Sequence, residues 1–368
     1  MFLKKAILFS IGFSLLVNVT LNAQEIKQTN KQNIILITID GFRWQELFSG
    51  ADKKLITNEK YVLHPDKLKE KYWRNTASKR REALMPFVWS QVKTFGQIHG
   101  NRTLGSKVNV TNKHHFSYPG YSEILTGIAD DTRIKSNDKL PNPNVTILEY
   151  ANKDKNYKGK VVAFGSWDVF PSIINESRSG VSVNAGFESV RGDNLNSHEL
   201  FLNKLQKETF SPWDNVRLDV FTHNYALENM QKNHPKFLYI AYGETDDFAH
   251  YGRYGYYLDS AHTTDKFIKE IWDYVQSDKF YKDNTTLIIT TDHGRGSEPL
   301  DTWKDHSASI KGCDEVWFIA LGKRIKALGE ASKDEQYYSN QIAASIAKIL
   351  DITIDEQKMG QALEIIEK

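Results

Sequence analysis

Cysteine is almost absent from this 368-residue chain: Cys313 stands alone, so no internal disulfide can form. Its neighbours Gly312 and Asp314 lead into the apolar run Val316 to Ala320, which reads as a half-buried structural thiol rather than a nucleophile. An excess of either charge is also missing. Lys and Arg total 48 against 46 Asp and Glu, a balance that argues against binding of a nucleic-acid polymer, which needs a basic domain or stripe. Long hydrophobic runs are lacking too. The stretch from Ala6 to Val19 is mostly apolar but shorter than the ~20 residues that span a bilayer, so no stable membrane span is expected. Lys4 and Lys5 precede it, and the small residues Leu21-Asn22-Ala23 precede Gln24. That is the layout of a secretory signal peptide over residues 1–23, with export to the periplasm or outside the cell. No cysteine near Gln24 offers a lipid anchor.

What is present is ordinary for a globular enzyme: 40% hydrophobic and 26% charged residues. A chain of this size can bury a substantial core without disulfides or a structural metal. Apolar runs rich in β-branched residues, bounded by polar or turn residues, predict buried parallel strands at Asn33 to Ile39, Lys160 to Phe164, Phe237 to Tyr242, Thr285 to Thr290 and Glu315 to Leu321. Between them, apolar spacings of three and four predict helices over Leu218 to Met230, Thr264 to Val275 and Ser339 to Leu350. This alternation implies an α/β fold with a parallel-rich central sheet covered by helices on both faces. Residues 24–368 read as a single domain. The charged stretch Ala51 to Arg81 predicts a surface insertion, extending around residues 51–110.

Four segments bring reactive groups to places where strands should end, the edge at which ligand sites assemble in open α/β sheets. The strand from Asn33 delivers Asp40, and Gly41 permits a sharp exit. Phe116-Ser117-Tyr118-Pro119-Gly120-Tyr121 places a hydroxyl just ahead of a helix expected from Tyr121, where backbone N–H groups and the helix dipole favour an anion. In Gly243-Glu244-Thr245-Asp246-Asp247-Phe248-Ala249-His250, Asp246 and His250 are four apart and share one helix face, a half-site for a metal. The strand ending at Thr290 leads into Asp292-His293-Gly294, and His306 follows 13 positions later. Each segment alone has a bland explanation. Together Asp40, Asp246, His250, Asp292, His293 and His306 supply three carboxylates and three imidazoles, which suits two divalent ions, zinc above all and manganese next.

The ordered set of motifs resembles the alkaline phosphatase superfamily, closest to its type I phosphodiesterase and nucleotide pyrophosphatase branch. It spans Asp40 to His306, most of the chain. The resemblance implies a two-metal phosphoric ester hydrolase acting on phosphomonoesters or phosphodiesters, of small molecules or glycans, through a phosphoserine at Ser117. It assigns Asp246, His250 and His306 to one metal, and Asp40, Asp292 and His293, together with the Ser117 oxygen, to the other. Asn137, in Lys135-Ser136-Asn137-Asp138, falls near an Asn that the family uses to bind a phosphoryl oxygen, with Asn142 and Asn144 close by in sequence. The alternative is a sulfatase, because Ser117-Tyr118-Pro119-Gly120-Tyr121 partly resembles the Cys/Ser-x-Pro-x-Arg signature that matures to formylglycine. Tyr121 stands where that signature needs Arg. Lys113, Arg133, Lys135 and Arg178 are candidates for extra phosphate contacts, and Trp167 and Tyr118 for stacking on the substrate.

Overall fold

Strand β1 (Asn33–Ile39) shows why the chain builds a covered sheet. Ile35, Ile37 and Ile39 enter one hydrophobic cluster, whereas Ile34 and Leu36 enter another on the opposite face. Successive side chains of a strand point to opposite faces, so an uninterrupted apolar run can be buried only if both faces are covered. Burying each such side chain contributes roughly 1.5–3 kcal/mol. The computed structural model describes residues 31–355 and 359–365, and the contacts of Lys31 onward form one compact unit. The expected signal peptide over residues 1–23 lies outside the described residues. Among those described, no helix is long and apolar enough to cross a membrane.

The other strands are β2 (Gly96–His99), β3 (Ser106–Asn109), β4 (Val161–Gly165), β5 (Ser182–Ala185), β6 (Phe237–Tyr242), β7 (Thr285–Thr290), β8 (Glu315–Val316), β9 (Phe318–Gly322), β10 (Gly329–Glu330) and β11 (Glu335–Tyr338). The main sheet runs β10-β2-β9-β7-β1-β6-β4-β5, and a three-stranded sheet runs β11-β3-β8. Pairings from β7 through β1, β6 and β4 to β5 are all parallel, whereas β9 is antiparallel to both β7 and β2. The fold is therefore the expected α/β architecture with a mostly parallel central sheet. Helices Asp219–Asn233 and Tyr254–Ser277 pack on one face, and Ser117–Thr126, Ile147–Lys153 and Gln341–Leu350 on the other.

Register positions the site. Ile39 pairs with Tyr242, and Thr38 with Thr290, so β1, β6 and β7 end abreast. Their next residues, from Asp40, Gly243 and Thr291 onward, leave the sheet at one edge.

Two expectations need correction. The run Glu315 to Leu321 is not one strand: β8 belongs to the small sheet and β9 to the large one. Trp317 marks the switch, its indole N–H donating to Phe42 O at 2.8 Å. Nor is the segment around 51–110 a surface insertion. It contributes β2 to the main sheet, and Leu55, Ile56, Leu68, Leu84, Val88 and Trp89 to the core. Its helices are short and amphipathic, so their charged faces dominate the composition while their apolar faces are buried. Asp265 fastens one of them, helix Pro86–Phe95, by accepting from the N–H groups of Phe87 and Val88 at 2.8 and 2.9 Å.

Candidate active site

The helix expected from Tyr121 begins four residues earlier, at Ser117 itself. Helix Ser117–Thr126 begins at the serine, with Phe116 as N-cap. Pro119 is accommodated in the first turn, where a missing N–H costs nothing. Gly120 is needed for a different reason: a Cβ there would lie 2.2 Å from Asp292 O. The glycine lets the helix rest directly on Asp292, two residues beyond the end of β7, and so brings Ser117 beside the strand-end acids.

The imidazole of His293 is the centre of the arrangement. Its Nε2 lies 3.4 Å from Asp40 Oδ1, 3.5 Å from Asp292 Oδ2, 3.6 Å from Asp246 Oδ1 and 3.4 Å from Ser117 Oγ. Nδ1 faces Gly294 O at 3.0 Å, which directs Nε2 into the cluster. His306 is oriented likewise, with Nδ1 at 3.1 Å from His115 O. Its Nε2 approaches Asp246 Oδ1 at 3.7 Å and His250 Nε2 at 3.0 Å, and His250 Nε2 is 3.2 Å from Asp246 Oδ2. All six expected ligands and Ser117 are thus brought together. Two triads have donor atoms mutually within 4.8 Å: Asp40, Asp292 and His293, and Asp246, His293 and His306. His293 belongs to both, so it borders both half-sites.

These donors fit metal ions by their electrostatics. Asp40 Oδ1 and Asp292 Oδ2 are buried with no hydrogen-bond partner, an arrangement that is costly without a cation. Burial, then the charge of Asp40, pushes the Asp292 carboxyl up to about 8. Burial would lower His293, but the carboxylates of Asp292 and Asp40 outweigh it and raise the ring to about 9. His250 and His306 are both held below the ordinary imidazole value by burial and by His293, which keeps them neutral, as ligands must be. Two neighbouring carboxyls are pushed up in the same way. Asp247 rises to about 8 through burial and then Asp40, and Glu244 rises to about 8 through burial and then Asp219.

The family model of the sulfatases matches residues 32–352. The chain belongs to the sulfatase family. That family lies in the alkaline phosphatase superfamily, as the motifs imply. This family member resembles solved structures at the level of the fold. The phosphonate monoester hydrolase SpPMH from Silicibacter pomeroyi matches with TM-score 0.56 and 13% identity, over 90% of this chain and 76% of that one. Alkaline phosphatase PafA matches with TM-score 0.55 and 13% identity, over 91% and 99%. BT1596, a 2-O GAG sulfatase, matches with TM-score 0.54 and 12% identity, over 90% and 73%. A 2,3-bisphosphoglycerate-independent phosphoglycerate mutase from Gracilaria tenuistipitata var. liui is 25% identical over 232 residues, 61% of this chain but only 42% of that protein's length.

In this sulfatase-family chain an open cleft of about 410 Å³ exposes the site, lined among others by Asp40, Ser117, Asn137, Trp167, Asp246 and Asp247. Asn137 Oδ1 accepts from Tyr118 N at 3.0 Å, which leaves the amide NH₂ as the group turned to the cleft. Asn142 and Asn144 are engaged elsewhere: Asn142 donates to Ser122 and Ile173, and Asn144 accepts from Arg133. Tyr118 is buried with its hydroxyl on Leu140 O, so it does not stack in the cleft. Arg178 is tied to Glu149, and Arg133 to Asp130. Neither Lys113 nor Lys135 lines the cleft; Lys139 does, held by Asp168 at 2.6 Å.

Two site residues escaped the sequence reading. Arg295 is fully buried; it pairs with Asp246 Oδ1 and donates to Gly41 O at 3.2 Å and Lys304 O at 2.6 Å. A side chain at Gly41, whose φ is +55°, would collide with both Arg295 and Asp246. Its place just after Asp-His-Gly was the available signal. Asp219 accepts from Gly243 N at 2.8 Å, Glu244 N at 3.1 Å and Ser166 Oγ at 2.5 Å. It thereby anchors the start of helix Glu244–His250, which carries Asp246 and His250. No local sequence pattern links residues 219 and 243.

Proposed function

We propose that this chain hydrolyses phosphate esters of small molecules or glycans through a phosphoserine at Ser117. The observation that carries this reading is the buried Ser117 hydroxyl, at the first residue of its helix and 3.4 Å from His293 Nε2, inside the ring of acids and imidazoles. Asp40, Asp292 and His293 would hold one divalent cation, and Asp246, His250 and His306 a second, zinc or manganese by the donor chemistry. Bound there, such ions would supply charge neutralisation and favour the alkoxide form of the Ser117 hydroxyl.

The chain's own groups do the rest. Ser117 Oγ attacks phosphorus, and the bond to the leaving alcohol breaks with its electron pair departing on that oxygen. Water then attacks phosphorus and Ser117 Oγ leaves, recovering a proton that the water gives up; free serine results, with phosphate from a monoester or a phosphomonoester from a diester. The N-terminal end of helix Ser117–Thr126 favours the negative charge that gathers at Oγ and on the phosphoryl group. Asn137 would donate its amide N–H to an equatorial oxygen. Tyr121 supports phosphate over sulfate chemistry: it stands where the formylglycine signature needs Arg, and its hydroxyl donates to Asp40 Oδ2 at 2.9 Å. Two fold relatives bear the names of phosphorus-ester hydrolases, an alkaline phosphatase and a phosphonate monoester hydrolase. Lys4, Lys5 and the apolar run after them support export.

The test compares zinc-supplemented wild-type protein with Ser117→Ala on aryl phosphate, bis-aryl phosphate and aryl sulfate. We expect phosphate ester turnover that is lost in the variant while metal content stays, and a phosphorylated Ser117 peptide in acid-quenched wild type. Near wild-type turnover by the variant would reject the nucleophile. The sulfatase family match favours a second reading: formylglycine at position 117, together with aryl sulfate turnover, would establish it instead.

A further inference from the structure

The segment ahead of Ser117 is held by a carboxylate that attack on phosphorus does not use. Glu123 lies on the same helix as Ser117 and is fully buried. Its Oε1 accepts from Thr111 N at 2.8 Å and Thr111 Oγ1 at 2.9 Å. Its Oε2 accepts from Asn112 N at 2.8 Å and Asn112 Nδ2 at 2.9 Å. All four donors are neutral. Burying a charge among neutral donors is costly, and a glutamine would cost less. A glutamine, however, would turn its NH₂ group on one of the two donor pairs. An acid stands where both oxygens must accept.

Asn112 passes this constraint on. It is 2% exposed, and while Glu123 holds its Nδ2, its Oδ1 accepts from His114 N at 3.1 Å and His115 N at 3.0 Å. His115 takes φ +55°, in the left-handed region that a residue with a Cβ enters only at a cost. In that conformation His115 O faces His306 Nδ1 at 3.1 Å. A carbonyl oxygen only accepts, so the His306 ring carries its proton on Nδ1 and presents a bare Nε2 to Asp246 and His250.

We propose that Glu123 is a positioning residue for His306. Acting through Asn112 and the His115 carbonyl, it fixes which imidazole nitrogen faces the second cation site. The proposal rests on the metal reading of the cluster. It makes the helix of the nucleophile the support of a ligand from another segment, so one carboxylate sets Ser117 and His306 against each other.

The test follows zinc binding by calorimetry and, in the metal-free protein, the imidazole nitrogens by NMR, with His306→Gln locating the His306 signals. We expect Glu123→Gln and Asn112→Ala each to weaken the second zinc equivalent about tenfold and to leave the first within about twofold. In metal-free wild type His306 should be a single Nδ1–H tautomer, and in both variants a mixture. Thr111→Val controls for a merely structural role: it removes one hydrogen bond to Glu123 and should lower the melting temperature, with zinc affinity and tautomer unchanged. Should Glu123→Gln not fold, Glu123→Asp, which keeps the acid but shortens its reach, replaces it. Zinc affinity and tautomer left intact by the Glu123 variant, or altered equally by Thr111→Val, overturn the proposal. A wild type that takes up no second zinc would count against the metal reading, and the tautomer then decides on Glu123. A single Nδ1–H form that is lost in the Glu123 variant upholds its role, whereas a mixture already in wild type overturns it.

Discussion

The two halves of the donor cluster are built from different material. Asp40, Asp292 and His293 follow central strands and are almost completely buried, at 5%, 0% and 0% exposure. Asp246 and His306 are partly exposed, and the His250 side chain is 43% exposed; these three come from a short helix and a loop. The first half inherits its rigidity from the sheet, since β1 and β7 are hydrogen-bonded in register up to their last residues. The second needs external supports: Arg295 against Asp246, and Asp219 at the helix start. The buried half is therefore the more preorganised and should be the tighter metal site, and the exposed half the exchangeable one.

The largest effect should come from the buried half. Asp292→Asn is expected to lower phosphate ester turnover by about three orders of magnitude and to remove one metal equivalent that added zinc does not restore. Activity rescued by millimolar zinc would erase the contrast. His250→Ala strikes the exposed half; a loss of about tenfold to a hundredfold, largely recovered at high zinc, is expected from kinetics run across a zinc titration. Unrecoverable loss would make the halves equivalent. Asp219→Asn touches no proposed ligand, so it should weaken only the second zinc equivalent, by about tenfold, in a calorimetric titration. Equal weakening of both equivalents would show that the helix start does not govern the exposed half.

Acidity offers a further probe of the buried half. In the metal-free protein the folded-state values of Asp292, about 8, and His293, about 9, lie above those of the unfolded chain. Both groups then hold more protons folded than unfolded, so stability falls as pH rises, over about 4 to 8 for Asp292 and about 6.5 to 9 for His293. Below about 6.5 the lowered His250 and His306 act oppositely, and stability falls as they are forced to accept protons. Thermal melts with chelator should thus decline between pH 6.5 and 9, and zinc should flatten the decline by replacing the protons. Parallel slopes with and without zinc would contradict the assignment of these residues to a cation site.

The same contrast explains what could be read from the sequence. β1, β6 and β7 were legible to the residue, because a continuous β-branched run buried on both faces has few alternatives. So were the acids and imidazoles that follow them. What was hidden depended on distant partners. Tyr118 has the composition of a substrate-stacking residue, yet its hydroxyl is committed to the backbone of Leu140. The Trp317 break, the buried faces of residues 51–110, Arg295 and Asp219 all act through contacts made by chain far away in sequence. Charge patterning mistook amphipathic core helices for a surface excursion, since two short apolar stripes look sparse beside Asp52-Lys53-Lys54 and Lys79-Arg80-Arg81.

The central claim is that distant strand ends and loops cage two cations beside one serine hydroxyl. Crystals grown with zinc, and measured on both sides of its absorption edge, test it most directly. The account predicts two anomalous peaks, one among Asp40, Asp292 and His293 next to Ser117 Oγ, and one among Asp246, His250 and His306. No peak within reach of the Ser117 oxygen at saturating zinc would contradict it.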